Sequence, residues 1–430
     1  MGAAYGKRHC RTADDVAALI PRDAFVVCGG LPGAPEELLR AMCRRMPELG
    51  EPTLYCGDIA GKFSFLDEIP PEACGRLRLM IGGGPVPTTE RARVDLSPWS
   101  VYEVEQLIAG GRWAVDVCLI TARPPNADGD FVLSPQVACL KTAATRAGLV
   151  LAEIDDGLPR LLGDTKLGAD RVDAFVAVSR RSLWESREAA THPTLDAIGR
   201  RVAELVPDGA CIQVGIGSLA EAVLANLGGH SDLAVHSGFI GDGVRRLMEK
   251  GVVTGTRYPL DPGKVVTGAL LGGKELYDFA DGNERIALHP FSHVNNPAVV
   301  ARIPDFFAIN SAVSVDLFGQ AGAEGIGGKL KSGGGGQMDF MPGAHVGAGG
   351  TAIITLQATA SRGTVSRIVA PAFLGGPVTS HRNWVDIVVT EFGVADLRGL
   401  GVLARAARLI EVADPRFRDE LSASMERVLG

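Results

Sequence analysis

The sequence predicts an α/β protein made of two duplicated halves, each an open, mostly parallel sheet with helices on its faces. Three observations predict it. Short β-branched and apolar runs bounded by Gly and Pro alternate with amphipathic segments along the whole chain, the pattern of strands covered on both faces. Leu19-Ile20-Pro21-Arg22-Asp23-Ala24-Phe25-Val26-Val27-Cys28-Gly29 reads against Leu205-Val206-Pro207-Asp208-Gly209-Ala210-Cys211-Ile212-Gln213-Val214-Gly215. Asp116-Val117-Cys118-Leu119-Ile120, running on to Gly129, reads against Phe306-Phe307-Ala308-Ile309-Asn310, running on to Gly325, at nearly the same separation. Strand–Gly–helix units resemble one another in any α/β protein, but two matches at nearly the same offset are what a duplication leaves.

Each copy opens with a helix end, a Pro-containing turn, a short apolar strand and a glycine. A helical segment follows in each, at Glu36-Glu37-Leu38-Leu39 and at Glu221-Ala222-Val223-Leu224. Leu149-Val150-Leu151-Ala152-Glu153-Ile154, Ala352-Ile353-Ile354-Thr355-Leu356 and Val385-Asp386-Ile387-Val388-Val389 are further buried-strand candidates. The polar, Trp-containing stretch over 180–194 is the connection. The halves are therefore expected at 1–190 and 191–430, with the boundary near Thr191. A chain of 430 residues is long enough for two or three domains, each with a full core.

Composition is that of an ordinary globular protein, 46% hydrophobic and 22% charged. The net charge of −7 provides no bulk attraction for nucleic acid or anionic membrane, so neither is expected as a partner. The eight cysteines include no C-x-x-C pair and none lies beyond Cys211, which argues against a zinc site, a redox pair or a disulfide scaffold. Met1 to Arg11 is polar and basic with no apolar run after it, and no stretch reaches the ~18 apolar residues of a membrane span. A cytoplasmic protein is expected.

Three segments could carry chemistry. Gln213-Val214-Gly215-Ile216-Gly217-Ser218-Leu219-Ala220-Glu221 is a strand ending in G-x-G and opening a helix. Ser218 and Glu221 have capping-box spacing, and the glycines would leave backbone N–H groups at a positive helix end. This segment alone leaves a structural turn and a ligand loop equally open. Ser332-Gly333-Gly334-Gly335-Gly336-Gln337-Met338-Asp339-Phe340 holds four consecutive glycines between apolar segments, where a linker would be out of place. Its N–H groups could stabilise the oxyanion of a thioester under attack or form a phosphate-binding nest. Val389-Thr390-Glu391-Phe392-Gly393 sets a carboxylate just after a buried strand, at an α/β site position or in a turn role. The histidines lack metal-ligand spacing, and no metal site is expected.

Together these residues resemble the acetyl-CoA hydrolase/transferase family, most closely its 4-hydroxybutyrate CoA-transferase branch. The resemblance runs from about Lys7 to Phe417. Its carriers are Pro124-Pro125-Asn126-Ala127-Asp128-Gly129, Gly215-Ile216-Gly217, His236-Ser237-Gly238-Phe239-Ile240-Gly241-Asp242-Gly243, Asn310-Ser311-Ala312-Val313-Ser314-Val315-Asp316-Leu317-Phe318-Gly319-Gln320, Gly335-Gly336-Gln337-Met338-Asp339-Phe340, Val365-Ser366-Arg367-Ile368 and Thr390-Glu391-Phe392-Gly393. The resemblance implies two CoA-transferase-type domains with the active site between them, and a dimer or higher homo-oligomer. Coenzyme A would be a substrate and product, with no permanently bound cofactor. CoA contacts would fall on Gly215, Ile216, Gly217, Ser218, Leu219, Val313 and Gly336, and the Gly336 N–H would donate to the oxyanion.

One departure outweighs the matches. In the family a glutamate follows the His-Ser or His-Thr pair and attacks the acyl-CoA. The mixed anhydride is opened by CoA thiolate to a glutamyl-CoA thioester, which a second carboxylate takes over. Here that position is Gly238, which has no side chain to act as a nucleophile. Gly241 and Ala220 also replace a usual polar residue and a usual proline. The expected function is therefore direct transfer of an acyl group from CoA to a small-molecule acceptor: water, a second substrate or a nucleophile in the same acyl chain. The alternatives are CoA transfer through another carboxylate, Glu391 or Glu324, and a non-catalytic pseudo-subunit of an active homologue.

Overall fold

The two apolar runs matched in the sequence, Phe25–Cys28 and Cys211–Val214, are both strands, and each is paired in parallel on both sides. The computed structural model describes residues 8–429 apart from 31, 58–62, 85, 180–182, 184, 186–191 and 372. The chain divides into two compact units. One is Met1–Ser186 with Val266–Val294 and Ser332–Gly335; the other is Arg187–Val265 with Asn295–Lys331 and Gly336–Gly430. Thr191, where a single boundary was expected, lies outside the described residues. Two later segments return to the first unit, which a one-boundary division does not express.

In the first unit eight strands run parallel in the order His9–Cys10, Ala174–Ala177, Leu149–Ile154, Val117–Arg123, Phe25–Cys28, Thr53–Cys56, Leu77–Ile81, Ala92–Leu96. Their apolar residues are buried with the inner face of the Glu36–Arg44 helix, where Leu38, Leu39 and Met42 are fully covered. That helix begins at Pro35 with no side-chain cap of its own. Glu153, buried on the Leu149–Ile154 strand, supplies the missing partner: its Oε1 accepts from the Leu38 N–H at 2.7 Å.

The Val266–Val294 segment is tied into this unit by backbone. Val137 N–H donates to the Gly268 carbonyl, Leu270 N–H to Pro135, and Leu288 N–H to Leu162, at 2.8–3.1 Å. Gly163 lies against Leu288 at φ 107°, where a β-carbon would stand 2.4 Å from the Leu288 carbonyl oxygen. A buried carboxylate completes the tie. Glu105 accepts from the Thr142 hydroxyl and, at 2.5 Å, from the Ser292 N–H.

The second unit repeats the order. Ile387–Thr390, Thr351–Thr355, Phe306–Ser311, Cys211–Val214 and Ala234–Ile240 are successive parallel neighbours, and Gly393–Asp396 adds an antiparallel edge. Register carries the equivalence to single residues. Val117 pairs with Val26 and Leu149, while Phe307 pairs with Ile212 and Thr351. On that register Glu153 of the first half corresponds to Thr355 of the second.

Of the eight cysteines only Cys74 is exposed. Burial pushes the Cys43 and Cys139 thiols up to about 12, which leaves them unreactive core filler. No helix among the described residues is long and apolar enough to cross a membrane.

Burial holds the Glu105 carboxyl above the usual carboxylate range, against the hydrogen bonds from Thr142 and Ser292 that lower it. A raised folded value means the folded state binds the extra proton, so this group loses stability as pH rises from about 4.3 through the folded value. Glu105→Gln should therefore gain stability relative to the parent over that window and hold a constant difference below it. The gain is about 1.4 kcal/mol for each unit by which burial raises the group. Urea unfolding from pH 4 to 7 measures it, and a flat difference would count against the ionisation.

Candidate active site

Strand Cys211–Val214 is buried at every position and ends at Gly215. Gly217 stands at φ 107°, ψ 179°, a region only glycine occupies without strain, and opens the Ser218–Asn226 helix as its N-cap. A β-carbon at Gly215 or Gly217 would meet nothing within 4 Å, and Ile216 is half exposed. The capping box expected at Ser218 does not form. Ser218 is the first helical residue, no side chain caps the helix, and Glu221 is taken by Arg246 at 2.6 Å. Among the described residues the Ser218 and Leu219 N–H groups have no partner. Below them, Gln213 and Asn310 exchange two side-chain hydrogen bonds, at 2.9 and 3.3 Å, and lock the neighbouring strands at their carboxyl ends. Sequence reasoning missed this amide pair.

The strand Ala234–Ile240 carries Gly238, the position where the resemblance leads one to expect a glutamate. His236, wholly buried, shares a 2.7 Å hydrogen bond with the Tyr258 hydroxyl, whose pKa burial pushes up. Ser237 donates to the Val214 carbonyl at 3.1 Å, tying this strand to the Gly215 loop. Alternation puts His236 and Gly238 on one face, and the contacts follow it. His236 meets Phe306 edge-on, Phe306 stacks on Phe340, and a β-carbon at 238 would stand 3.7 Å from the Phe340 ring. That β-carbon would also lie 3.1 Å from Asn295 Oδ1 and 3.6 Å from Asn295 Nδ2. Asn295 Nδ2 donates to Asp339 Oδ2 at 2.9 Å, and both residues are buried. Asn295 Oδ1 is buried without a hydrogen-bond partner among the described residues.

The glycine loop divides by role. At Gly333 a β-carbon would fall 2.6–2.9 Å from the carbonyl oxygens of Gly82, Ser97 and Ile81. Gly334 N–H donates to Ser97, Gly335 N–H to Gly82, and the Gly335 carbonyl accepts from Val101, at 3.0–3.3 Å. Gly335 stands at φ 63°. Close packing at Gly333 and left-handed backbone at Gly335 thus account for two of the four glycines, neither of them the one the resemblance assigns to the ligand. Gly336 differs. It is the N-cap of the Gln337–Val346 helix at φ −108°, and among the described residues its N–H has no partner. One turn further on, the same helix supplies Phe340 to Gly238.

The other named residues are engaged elsewhere. Val313 N–H donates to the Gly322 carbonyl at 2.8 Å. Glu391 follows the Ile387–Thr390 strand, and its Oε2 accepts from the Ala358 N–H at 2.8 Å. Arg367 lies beside it, its pKa lowered by burial and partly restored by Glu391. Glu324, buried, accepts from the Thr379 hydroxyl at 2.8 Å. Neither carboxylate is among the atoms nearest a β-carbon at 238. No group of three or more His, Cys, Asp or Glu among the described residues could hold a metal ion.

The chain matches the acetyl-CoA hydrolase/transferase N-terminal domain over residues 87–181 and the C-terminal domain of the same family over 272–425. It is 37% identical to a 4-hydroxybutyrate coenzyme A transferase of Clostridium kluyveri, over 95% of both chains. Among solved structures it is similar to RipA from Yersinia pestis, with a TM-score of 0.88 and 28% identity over 99% of this chain and 98% of that one. It is also similar to a 4-hydroxybutyrate CoA-transferase from Porphyromonas gingivalis, with a TM-score of 0.81 and 31% identity over 98% of each.

Gly333→Ala should destabilise the fold by about 1–3 kcal/mol, the usual cost of overpacking, because three carbonyl oxygens confront the new methyl. Thermal unfolding reads this directly, and an unchanged melting temperature would mean the loop is not held against residues 81–97 in solution.

Proposed function

The chain belongs to the acetyl-CoA hydrolase/transferase family, and from that membership we propose that it passes an acyl group directly from coenzyme A to an acceptor, with no enzyme-bound thioester. It is an acyl-CoA-processing enzyme of the transferase and hydrolase class. The observation that carries the finer reading is Gly238, a residue without a side chain where the family's glutamate attacks. Glu391 and Glu324 are poor substitutes, since each is already bonded to another group.

The chemistry uses groups that need no covalent step. Coenzyme A lies along Gly215, Ile216, Gly217, Ser218 and Leu219, with Val313 and Gly336 as further contacts. The uncapped helix end favours its negative groups. The Gly336 N–H donates to the thioester oxygen as it becomes an oxyanion, an effect of about 2.7–4 kcal/mol for one such donor. The acceptor adds to the carbonyl carbon, the C–S bond breaks, and the acceptor's proton ends on the sulfur as free CoA thiol. Orientation of the two reactants supplies much of the remaining rate.

Incubated with a panel of acyl-CoAs, the protein should release CoA thiol while its intact mass stays that of the free chain. A CoA adduct mapped to Glu391 or Glu324 would overturn direct transfer in favour of a relocated carboxylate. Release by no acyl-CoA, with binding retained, would favour a non-catalytic partner role.

Gly336→Ala keeps the backbone N–H but sets a β-carbon beside it that holds the thioester oxygen away, so CoA release should fall by about 10²-fold, the usual loss when one oxyanion donor is disturbed. The φ of −108° is open to alanine, so the melting temperature should hold and the loss should be purely catalytic. Equal rates for parent and variant would remove this N–H from the mechanism.

A further inference from the structure

We propose that the first unit carries a ligand site of its own, a cavity that takes a free α-amino acid. The ligand's carboxylate meets the open edge of Arg123, and its ammonium meets Asp156. The inference does not rest on the direct-transfer reading above.

The cavity lies wholly within the first unit and has a volume of about 590 Å³, ample for an amino acid with any side chain. It is lined where the parallel strands Val117–Arg123 and Leu149–Ile154 end, the edge at which open α/β sheets take their ligands. One wall is the loop over 155–160. The other is a face of the Lys274–Ala280 helix, with Lys274, Tyr277 and Asp278 one turn apart. Backbone ties the two walls together: Arg160 N–H donates to Asp281 Oδ1 at 2.6 Å, and Gly282 N–H to the Arg160 carbonyl at 2.8 Å. Counting along the matched strands, Arg123 stands where the second unit has Val313, and Asp156 where it has Ala358. Val313 is among the residues proposed to contact coenzyme A, so the two halves would hold ligands at equivalent strand ends.

The charges select the ligand. Arg123 Nη1 donates to the Asp156 carbonyl at 2.7 Å and to the Leu158 carbonyl, which fixes the plane of the guanidinium. Its Nε and Nη2 hydrogens have no partner among the described residues. Those two groups form the side-on fork that a carboxylate fills with two parallel hydrogen bonds. The Asp156 side chain is exposed and also has no hydrogen bond or ion pair among the described residues. Opposite charges thus stand close together unpaired, because Arg123 grips Asp156 by its backbone and not by its carboxylate. Elsewhere in the lining Lys274 pairs with Asp278, Arg160 lies against Gly282, and carboxylates outnumber cations. A ligand that is only an anion meets an excess of like charge. One that is only a cation is repelled by Arg123 and leaves its fork empty. An α-amino acid satisfies both groups, since its carboxylate and ammonium sit on one carbon.

Calorimetric titration of the full-length protein with each of the common L-α-amino acids tests the site. At least one should bind saturably, one molecule per chain. Propionate and ethylamine, which are alanine without its amine and without its carboxylate, should not bind. Asp156→Asn should weaken the binding by about 10- to 100-fold, the range for a hydrogen bond to a charged group. Arg123→Lys keeps the charge but loses the fork, and should weaken it by about 10-fold or more. Coenzyme A should bind Asp156→Asn as it binds the parent, and saturating coenzyme A should not displace the amino acid. The inference is overturned if no amino acid binds saturably, or if propionate or ethylamine binds as tightly. It is equally overturned if coenzyme A competes, or if Asp156→Asn binds like the parent. If Arg123→Lys does not fold, Asp156→Asn decides, since that side chain is exposed and holds no other group in place.

Discussion

A parallel strand cannot return to its neighbour through a tight turn, so successive parallel strands all leave their sheet by one edge. In the second unit this brings the ends of Cys211–Val214, Phe306–Ser311, Thr351–Thr355 and Ile387–Thr390 to a common side. Gly215 to Leu219, Val313 and Glu391 are there for that reason alone, although they come from distant parts of the chain. The Gln213–Asn310 amide pair fixes two of those ends against each other. The Gly215 loop and the segment after Ser311 inherit their relative place from that pairing.

The duplication then provides an internal control. Both halves send a buried strand through glycines into a helix, and in both the helix start lacks its own side-chain cap. In the first half the buried Glu153 fills the need by accepting from the Leu38 N–H. At the matching register the second half has Thr355, whose hydroxyl instead donates to the Asn310 carbonyl at 3.1 Å. One copy thus satisfies its helix end with a protein carboxylate, while the other keeps an accessible positive end. The two copies of the motif differ at their helix starts by a single buried carboxylate, Glu153, which has no counterpart at Thr355.

This division shows what could be read from residues and what could not. Strand runs, their order of recurrence and the G-x-G helix start follow from local pattern, and the structure reproduces them nearly residue for residue. The capping box failed because Arg246, on a different helix, takes Glu221; no local rule sees a competitor from elsewhere in the chain. Composition does not tell the glycines of the run apart by packing. Gly333 and Gly335 serve packing and backbone, while the Gly336 N–H has no partner among the described residues. The pairing of Asn295 with Asp339 was invisible for a plainer reason. The two lie far apart in sequence, and although Asp339 falls in the glycine-run segment, only the docking of the Gln337–Val346 helix beside Gly238 makes them a pair.

Under the proposal of direct transfer, the site works without a glutamate at 238. A carboxylate nucleophile at 238 serves an exchange between two carboxylates, since its anhydride and thioester store the acyl energy while one acid leaves and another arrives. An acceptor that carries its own proton needs no such store. Attack, collapse and release can occur within one bound complex, and the proton lost by the acceptor is the one the departing thiolate takes up. A site for that chemistry needs a polarised thioester and something to orient a neutral donor. Glycine at 238 fits the proposal of direct transfer, because it brings no side chain on which an anhydride or thioester could form.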